Sequence, residues 1–264
     1  MTGPLHNKVA IVTGAGAGIG RATALRLLRD GASVLLVDRN ADDLAEAARA
    51  GTDQQSSADR IATLEMDVAH DEAPARILAA AGQAFSGIDI IVNNAGIGGA
   101  HVAEHTSDEE WDQLMDVNLR SVFRLSREAI GVLKQSRGCI VNVASIFGLS
   151  GFPGAAAYSV AKGGVAALTR QMATDCGPFD ITVNAVAPGL IETAMTADPI
   201  RESAWFRDQM ISATPLARPG KPDDVAGAIA FLCGPDAAFI TGQILAVDGG
   251  WSETHYRPRP SSRG

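Results

Sequence analysis

Cysteine is scarce in this 264-residue chain, and Cys139, Cys176 and Cys233 stand far apart with no CxxC spacing. A disulfide framework or a zinc ribbon is thereby excluded, and buried thiols of a reducing, cytoplasmic compartment are expected. Aromatic residues amount to only 5%. Basic residues are in deficit, 22 Lys and Arg against 30 Asp and Glu, a net charge of −8. That is the wrong sign for a general nucleic-acid or anionic-membrane surface, so neither partner is expected. The five histidines lack metal-ligand spacing; His101 and His105 are i,i+4, but the glycines before them argue for a loop, and no metal is expected. Long hydrophobic runs are also missing. The uncharged stretch 138–161 contains Asn142, Ser145, Ser150, Pro153 and Tyr158. It cannot cross a bilayer and must instead be buried or line a site. The opening MTGPLHNKVAIVTGAG holds only a strand-length apolar run, too short for a signal-peptide core.

Glycine, by contrast, is abundant: 28 residues without a collagen-like period or a low-complexity tract. A globular chain so composed needs close backbone approach somewhere. Around the glycines, apolar runs alternate with helix-period segments. KVAIVTG (8–14), SVLLVD (33–38), IATLEMDV (61–68), IDIIVNNAG (88–96), CIVNVAS (139–145), ITVNAVAPG (181–189) and QILAVD (243–248) read as strands. Helices are expected near 19–30, 41–50, 71–85, 107–115, 118–135, 156–176 and 222–233, with a looser region from 190 to about 213. The strands are continuously apolar, as when both faces are covered. One α/β domain over 1–251 follows: a doubly wound, about seven-stranded parallel sheet with helices on both faces. The tail 252–264, with its prolines and arginines, breaks the pattern.

Between the first strand and first helix lies Thr13-Gly14-Ala15-Gly16-Ala17-Gly18-Ile19-Gly20. It misses the strict GxGxxG fingerprint but fits TGxxxGxG, with Gly14, Gly18 and Gly20 at the fixed points. The physical need is the same: a tight turn, backbone N–H groups near a diphosphate and a helix N-terminus facing negative charge, the Rossmann arrangement. Asp38 ends the second strand, where a carboxylate accepts hydrogen bonds from adenosine ribose hydroxyls and repels a 2′-phosphate. NAD is therefore favoured over NADP, although the neighbouring Arg39 could tolerate a phosphate.

Tyr158 and Lys162 are i,i+4, which places a phenol and an ammonium on one helix face. Ser145 ends the preceding strand. With TGAGAGIG, Asp67-Val68, Asn93-Asn94-Ala95-Gly96, Asn118, Ser145, YSVAK, Pro188-Gly189 and the closing Asp248-Gly249-Gly250, the chain resembles the short-chain dehydrogenase/reductase family over residues 7–251. The resemblance implies a Tyr acid/base mechanism in which Tyr158 serves as the catalytic acid/base. A free phenol titrates near ~10, and the resemblance implies that the Lys162 cation helps to lower it. It further implies that Lys162 binds the nicotinamide ribose, that Ser145 orients the substrate oxygen and that Asn118 holds a proton-relaying water. The same likeness assigns Asp67 and Val68 to adenine and Asn94, Ala95 and Gly96 to the adenosine side. Pro188 and Gly189 then line the nicotinamide, and Ile191 and Thr193 bond its carboxamide.

Candidate substrate-pocket residues by position are Ile97, His101, Phe147, Phe152, Leu190, Met195, Phe206 and Met210. They are mostly apolar, and suit a neutral, moderately hydrophobic secondary alcohol or ketone. An NAD-dependent alcohol/ketone oxidoreductase is the first reading. A 3-oxoacyl-[acyl-carrier-protein] reductase is the second: SVFRLS (121–126), PGLIETAM (188–195) and PLARPGKPDDV (215–225) resemble it. Against it stand Asp38 and the Phe179-Asp180 pair, where a basic residue would greet an acidic carrier protein. A halohydrin-dehalogenase-like lyase would lack Lys162 and the glycine loop, and a non-catalytic NAD-binding protein would have lost Tyr158 or Lys162. The resemblance also implies a homo-oligomer, dimer or tetramer, formed through the helices near 118–135 and 156–176.

Overall fold

The computed structural model describes residues 3–53 and 57–254. In β1 (Val9–Thr13), alternate residues are buried in opposite layers. Ala10 and Val12 join Leu27, Leu28 and Ile229, whereas Ile11 joins Ile77, Leu125 and Leu133. This two-sided burial is why the strand is apolar throughout rather than alternating. The same holds for β2 (Ser33–Asp38), β4 (Ile90–Asn93), β5 (Cys139–Val143) and β6 (Thr182–Pro188). With β3 (Ile61–Glu65) and β7 (Ile244–Val247) they form one sheet in the order β3-β2-β1-β4-β5-β6-β7. Every neighbouring pair is parallel. Continuous burial fails only at the two edges, where β3 alternates and Leu245 of β7 is exposed. An edge strand lacks a covering neighbour on one side.

One helical layer holds α1 (Gly18–Arg29), α2 (Ala41–Asp53) and α9 (Pro222–Cys233); the other holds α3 (Ala73–Ala84), α5 (Ser121–Ser136) and α6 (Ala156–Cys176). The chain runs outward through β1, β2 and β3, then restarts at β4 on the other side of β1. That reversal opens a crevice at the carboxyl ends of β1 and β4, where folds of this kind admit ligands.

Three local readings change. The strands expected over 61–68 and 88–96 stop at Glu65 and Asn93, leaving Asp67-Val68 and Asn94–Gly96 as loops at the sheet's carboxyl edge. The helices expected over 107–115 and 118–135 are one, since α4 (Asp108–Met115) continues through a π-turn at Asp116–Arg120 into α5. No breaker separates them, and the wider turn brings Asn118 fully inside. The looser region instead contains α7 (Ala194–Glu202), α8 (Ala204–Arg207) and a second π-turn at Asp208–Ser212. Ser203 starts α8 by accepting a hydrogen bond from the Phe206 N–H at 3.1 Å. At the tail, Ser252 still donates to the Asp248 carboxylate through its N–H at 2.8 Å; residues 255–264 lie outside the described part.

A polar chain crosses the apolar interior. Asn93 Nδ2 donates to Ser126 Oγ at 2.9 Å and to Asn142 Oδ1 at 2.8 Å. Asn142 Nδ2 donates to Thr169 Oγ1 at 2.9 Å, which donates to the Val165 carbonyl at 2.8 Å. Asn93 and Asn142 are register partners on β4 and β5, so the chain ties α5 and α6 to the strand ends that carry the crevice. Because burial makes each unpaired amide costly, Asn142→Ala is expected to destabilise the protein by about 3 kcal/mol. Urea unfolding monitored by circular dichroism tests this; a loss below about 1 kcal/mol would mean the chain is dispensable.

Candidate active site

The loop after β1 is clasped to the loop after β4. Thr13 Oγ1 accepts hydrogen bonds from the Asn94 and Ala95 N–H groups, both at 3.1 Å. Asn94 Nδ2 returns two, to the carbonyls of Thr13 (2.9 Å) and Gly14 (3.1 Å). Gly14 has φ +64° and Gly18 φ +54°, conformations that resist any side chain. Gly20 serves otherwise: a Cβ there would lie 2.0 Å from the Gly14 carbonyl oxygen, so its absence lets α1 start against the loop. The N-terminus of α1 has no side-chain cap and no acidic residue in its first turn. Unpaired N–H groups with a partial positive charge therefore face the crevice, which suits a diphosphate.

The crevice is a cleft of about 440 Å³. One end is bordered by Gly14, Ala17, Gly18, Ile19, Asp38 and Arg39, the middle by Asn94, Ala95, Gly96 and Ile97, and the far end by Ser145, Tyr158 and Lys162. Pro188, Gly189, Ile191, Thr193 and Met195 border it as well. A recess of about 100 Å³ extends the first end between Asp67, Val68, Met66 and Val117. Two expected cofactor residues stand apart from the cleft wall. Gly16 spends its N–H on Asp38 Oδ2 at 3.0 Å, and Gly20 packs beneath Gly14. Asp38 Oδ1 accepts from the Asn40 N–H at 3.1 Å, which fixes the carboxylate with lone pairs left over.

At the far end, Lys162 is buried, and its Nζ donates to the Val143 carbonyl at 2.7 Å. Burial lowers its pKa to about 8. Tyr158 is half-buried. Burial pushes its phenol above the ordinary value, and hydrogen bonding by Ser145 opposes that only in part. Lys162 Nζ lies 5.9 Å from the Tyr158 ring centroid and is turned to Val143. Asn118 braces the neighbouring loop through its side-chain amide. Its Oδ1 accepts from the Ile97 N–H at 2.9 Å and its Nδ2 donates to the Ile97 carbonyl at 3.0 Å. Both ends of the amide hold the loop beside the cleft, and each keeps further hydrogen-bonding capacity.

Sequence reasoning missed Thr13, Val143, Asn40 and Asp43. Val143 acts through its backbone carbonyl and leaves no side-chain signal. Asn40 and Asp43 border the cleft beside Asp38 from the start of α2, where a run of acidic residues was the available clue. Among the pocket candidates, Ile97 and Met195 border the cleft. Phe147, Phe152 and Phe206 cluster beyond Ser145, together with the unforeseen Trp205 and Trp251. Leu190 and Met210 are buried with Ile146 and act as packing beneath them. His101 is exposed, does not border the cleft, and its ring meets Glu110 on α4 at 2.7 Å. On α6, Gly163 lies beside the Gly148 carbonyl and Gly164 against Leu119. Among the described residues no group of three or more His, Cys, Asp or Glu could hold a metal, and no helix is long and apolar enough to cross a membrane.

The sheet order and the glycine loop define a Rossmann-type dinucleotide-binding protein with a Ser-Tyr-Lys end to its cleft. Comparison with known proteins sharpens that. A family model described as enoyl-(acyl carrier protein) reductase matches residues 14–252. The chain is 40% identical over 247 residues to the 3-oxoacyl-[acyl-carrier-protein] reductase FabG of Vibrio cholerae, covering 93% of this chain and 98% of the relative. It is 39% identical over 255 residues to the cyclopentanol dehydrogenase of a Comamonas species, covering 95% and 99%. Among solved structures, a gluconate dehydrogenase assigned only provisionally, from Agrobacterium tumefaciens, superimposes with TM-score 0.90 at 31% identity over 95% and 98% of the two chains. Levodione reductase does so with TM-score 0.89 at 32% identity over 94% and 98%. The chain belongs to the short-chain dehydrogenase/reductase family, whose members use nicotinamide cofactors.

The buried ammonium makes a testable statement about stability. An unfolded lysine titrates near ~10.4, whereas Lys162 titrates at about 8 when folded. Between those values the unfolded chain holds the extra proton, so stability due to this residue rises with pH across that window. Urea unfolding at about pH 8 and about pH 9.5 is expected to show the wild type gaining on Lys162→Met. An unchanged difference between the two would argue against a desolvated ammonium.

Proposed function

We propose that this protein is an NAD-dependent oxidoreductase acting between a secondary alcohol and its ketone. The observation that carries the reading is the single cleft joining the uncapped α1 N-terminus and Asp38 to Ser145, Tyr158 and Lys162. A nicotinamide dinucleotide bound there would accept or supply the hydride. In this reading the first turn of α1 takes the diphosphate, Asp38 the adenosine ribose, and Asp67 and Val68 the adenine, while Ile191 and Thr193 take the carboxamide. Lys162 has three ammonium donors and spends one on Val143. The other two are left for the nicotinamide ribose. Ser145 orients the substrate oxygen, and Tyr158 takes or returns the proton on that oxygen. Burial supports this division of labour: a phenol held protonated is a ready acid toward a ketone, and Ser145 eases its ionisation in the reverse direction.

The choice of NAD is supported by charge. Among the described residues, Asp38 and Asp43 border the ribose end against the cation Arg39, so a 2′-phosphate would meet two carboxylates. A second reading, 3-oxoacyl-[acyl-carrier-protein] reduction, is favoured by the relative of that name from Vibrio cholerae. The surface where an acidic carrier would dock offers it little, because Arg137 lies 3.8 Å from Asp180. Exposed Trp111, Phe123 and Val160 on α4, α5 and α6 support a homo-oligomer assembled through those helices.

Two variants test the reading. Tyr158→Phe is expected to lower kcat by at least ~100-fold while NADH affinity, measured by fluorescence titration, stays within about twofold. Retained turnover would remove Tyr158 from the acid/base role. Asp38→Ala is expected to shift the NAD/NADP ratio of kcat/KM toward NADP by about tenfold or more. An unchanged ratio would reassign cofactor choice. Assay of acetoacetyl thioesters with NADPH decides the second reading.

A further inference from the structure

We propose that the aromatic wall beyond Ser145 is a ring-recognition site, which selects alcohols or ketones whose carbinol or carbonyl carbon bears an uncharged aryl or alicyclic ring. The inference rests on the oxidoreductase reading of the same cleft and adds to it the class of substrate. Aromatic residues are rare in this chain, yet two of its three tryptophans and three of its eight phenylalanines meet here. Phe152 is the hub. It stacks on Phe147 with centroids 4.3 Å apart and planes 10° from parallel. Trp205 lies 5.7 Å away, Trp251 6.3 Å, and Phe206 6.4 Å at 89°. These are the offset-stacked and edge-to-face spacings that aromatic quadrupoles favour.

The cluster is tied to the reacting end through the chain, since Phe147 follows Ser145 by two residues and its N–H donates to Ser145 Oγ at 3.2 Å. It is also held rigid. Trp251 Nε1 donates to the Gln209 carbonyl at 2.9 Å, and Arg207 Nη1 locks α8 to the end of α7 through the Ile200 carbonyl at 2.8 Å. Trp205 is 52% exposed, so part of its ring is open to a partner. A rigid array of flat faces rewards a flat or alicyclic partner that loses little conformational freedom on binding, more than a flexible acyl chain. Charge argues the same way. Among the described residues, the arginines of this segment are already engaged: Arg201 with Asp198 at 2.6 Å and Glu202 at 2.9 Å, Arg207 with backbone carbonyls. A phosphate- or carboxylate-bearing substrate arm would find no ready cation beside these rings.

The test uses the full chain with NAD and two alcohols, 1-phenylethanol and 2-butanol. Wild-type kcat/KM is expected to favour 1-phenylethanol by about 100-fold. Trp205→Ala should reduce that preference about tenfold, chiefly through KM, and Trp205→Phe should restore most of it. Similar kcat/KM for the two alcohols in the wild type, or an unchanged ratio in Trp205→Ala, would overturn the ring site while leaving the oxidoreductase reading intact. Binding is followed independently by saturation-transfer NMR in the presence of NADH. Strong transfer to the phenyl protons, weakened in Trp205→Ala, supports the ring site even if neither alcohol turns over, in which case only the reaction reading fails. Transfer no stronger to the phenyl protons than to those of 2-butanol would overturn the ring site.

Discussion

Thr13 and Asn94 hold together the carboxyl ends of β1 and β4, the two strands at which the sheet reverses its order. A parallel sheet leaves loops of unpaired backbone at that edge, and a reversal spreads two of them apart. The Thr13 hydroxyl and the Asn94 amide close the gap with hydrogen bonds between side chain and backbone rather than with bulk. The glycine loop can then turn back on itself without being filled by its own side chains. From that joint the rest is placed: the uncapped start of α1 on one side and the Ile97 loop held by Asn118 on the other. The buried Asn93–Asn142 pair extends the same logic one strand further, to β5 and the Val143 carbonyl.

At the reacting end the dominant physical effect is burial rather than charge pairing. Tyr158 and Lys162 share a helix face, and the family resemblance implies that the ammonium helps to lower the phenol. In the folded chain both groups are desolvated, which pushes the phenol up and the ammonium down toward neutrality. Lys162 is anchored by a backbone carbonyl, and Ser145 is the group beside Tyr158 that favours its ionisation.

Much of this was legible in advance. The strands announced themselves because a residue covered on both faces must be apolar, and the glycine loop because its turn tolerates no Cβ. The edges were less legible: the apolar run of β3 continues past the point where pairing stops, so its length overstates the strand. The π-turn at Asp116–Arg120 was hidden because helical periodicity barely registers one wider turn. Position in a loop says nothing about which neighbour the His101 imidazole meets, and here that neighbour is Glu110. Trp205 and Trp251 escaped notice for a related reason, since three segments distant in sequence converge on Phe152.

The sequence by itself determined the α/β alternation, the diphosphate-type loop, the acidic end of β2 and the pairing of Tyr158 with Lys162 on one helix face. Each of these is a local matter of backbone freedom, periodicity or an i,i+4 spacing, and local constraints are written in neighbouring residues. Only the tertiary structure decided which groups are desolvated, that Lys162 turns to Val143, that Asn118 braces Ile97, and that scarce aromatic rings gather beside Ser145. Those outcomes depend on contacts between residues far apart in the chain, and on the dielectric they create together, which no stretch of sequence carries alone.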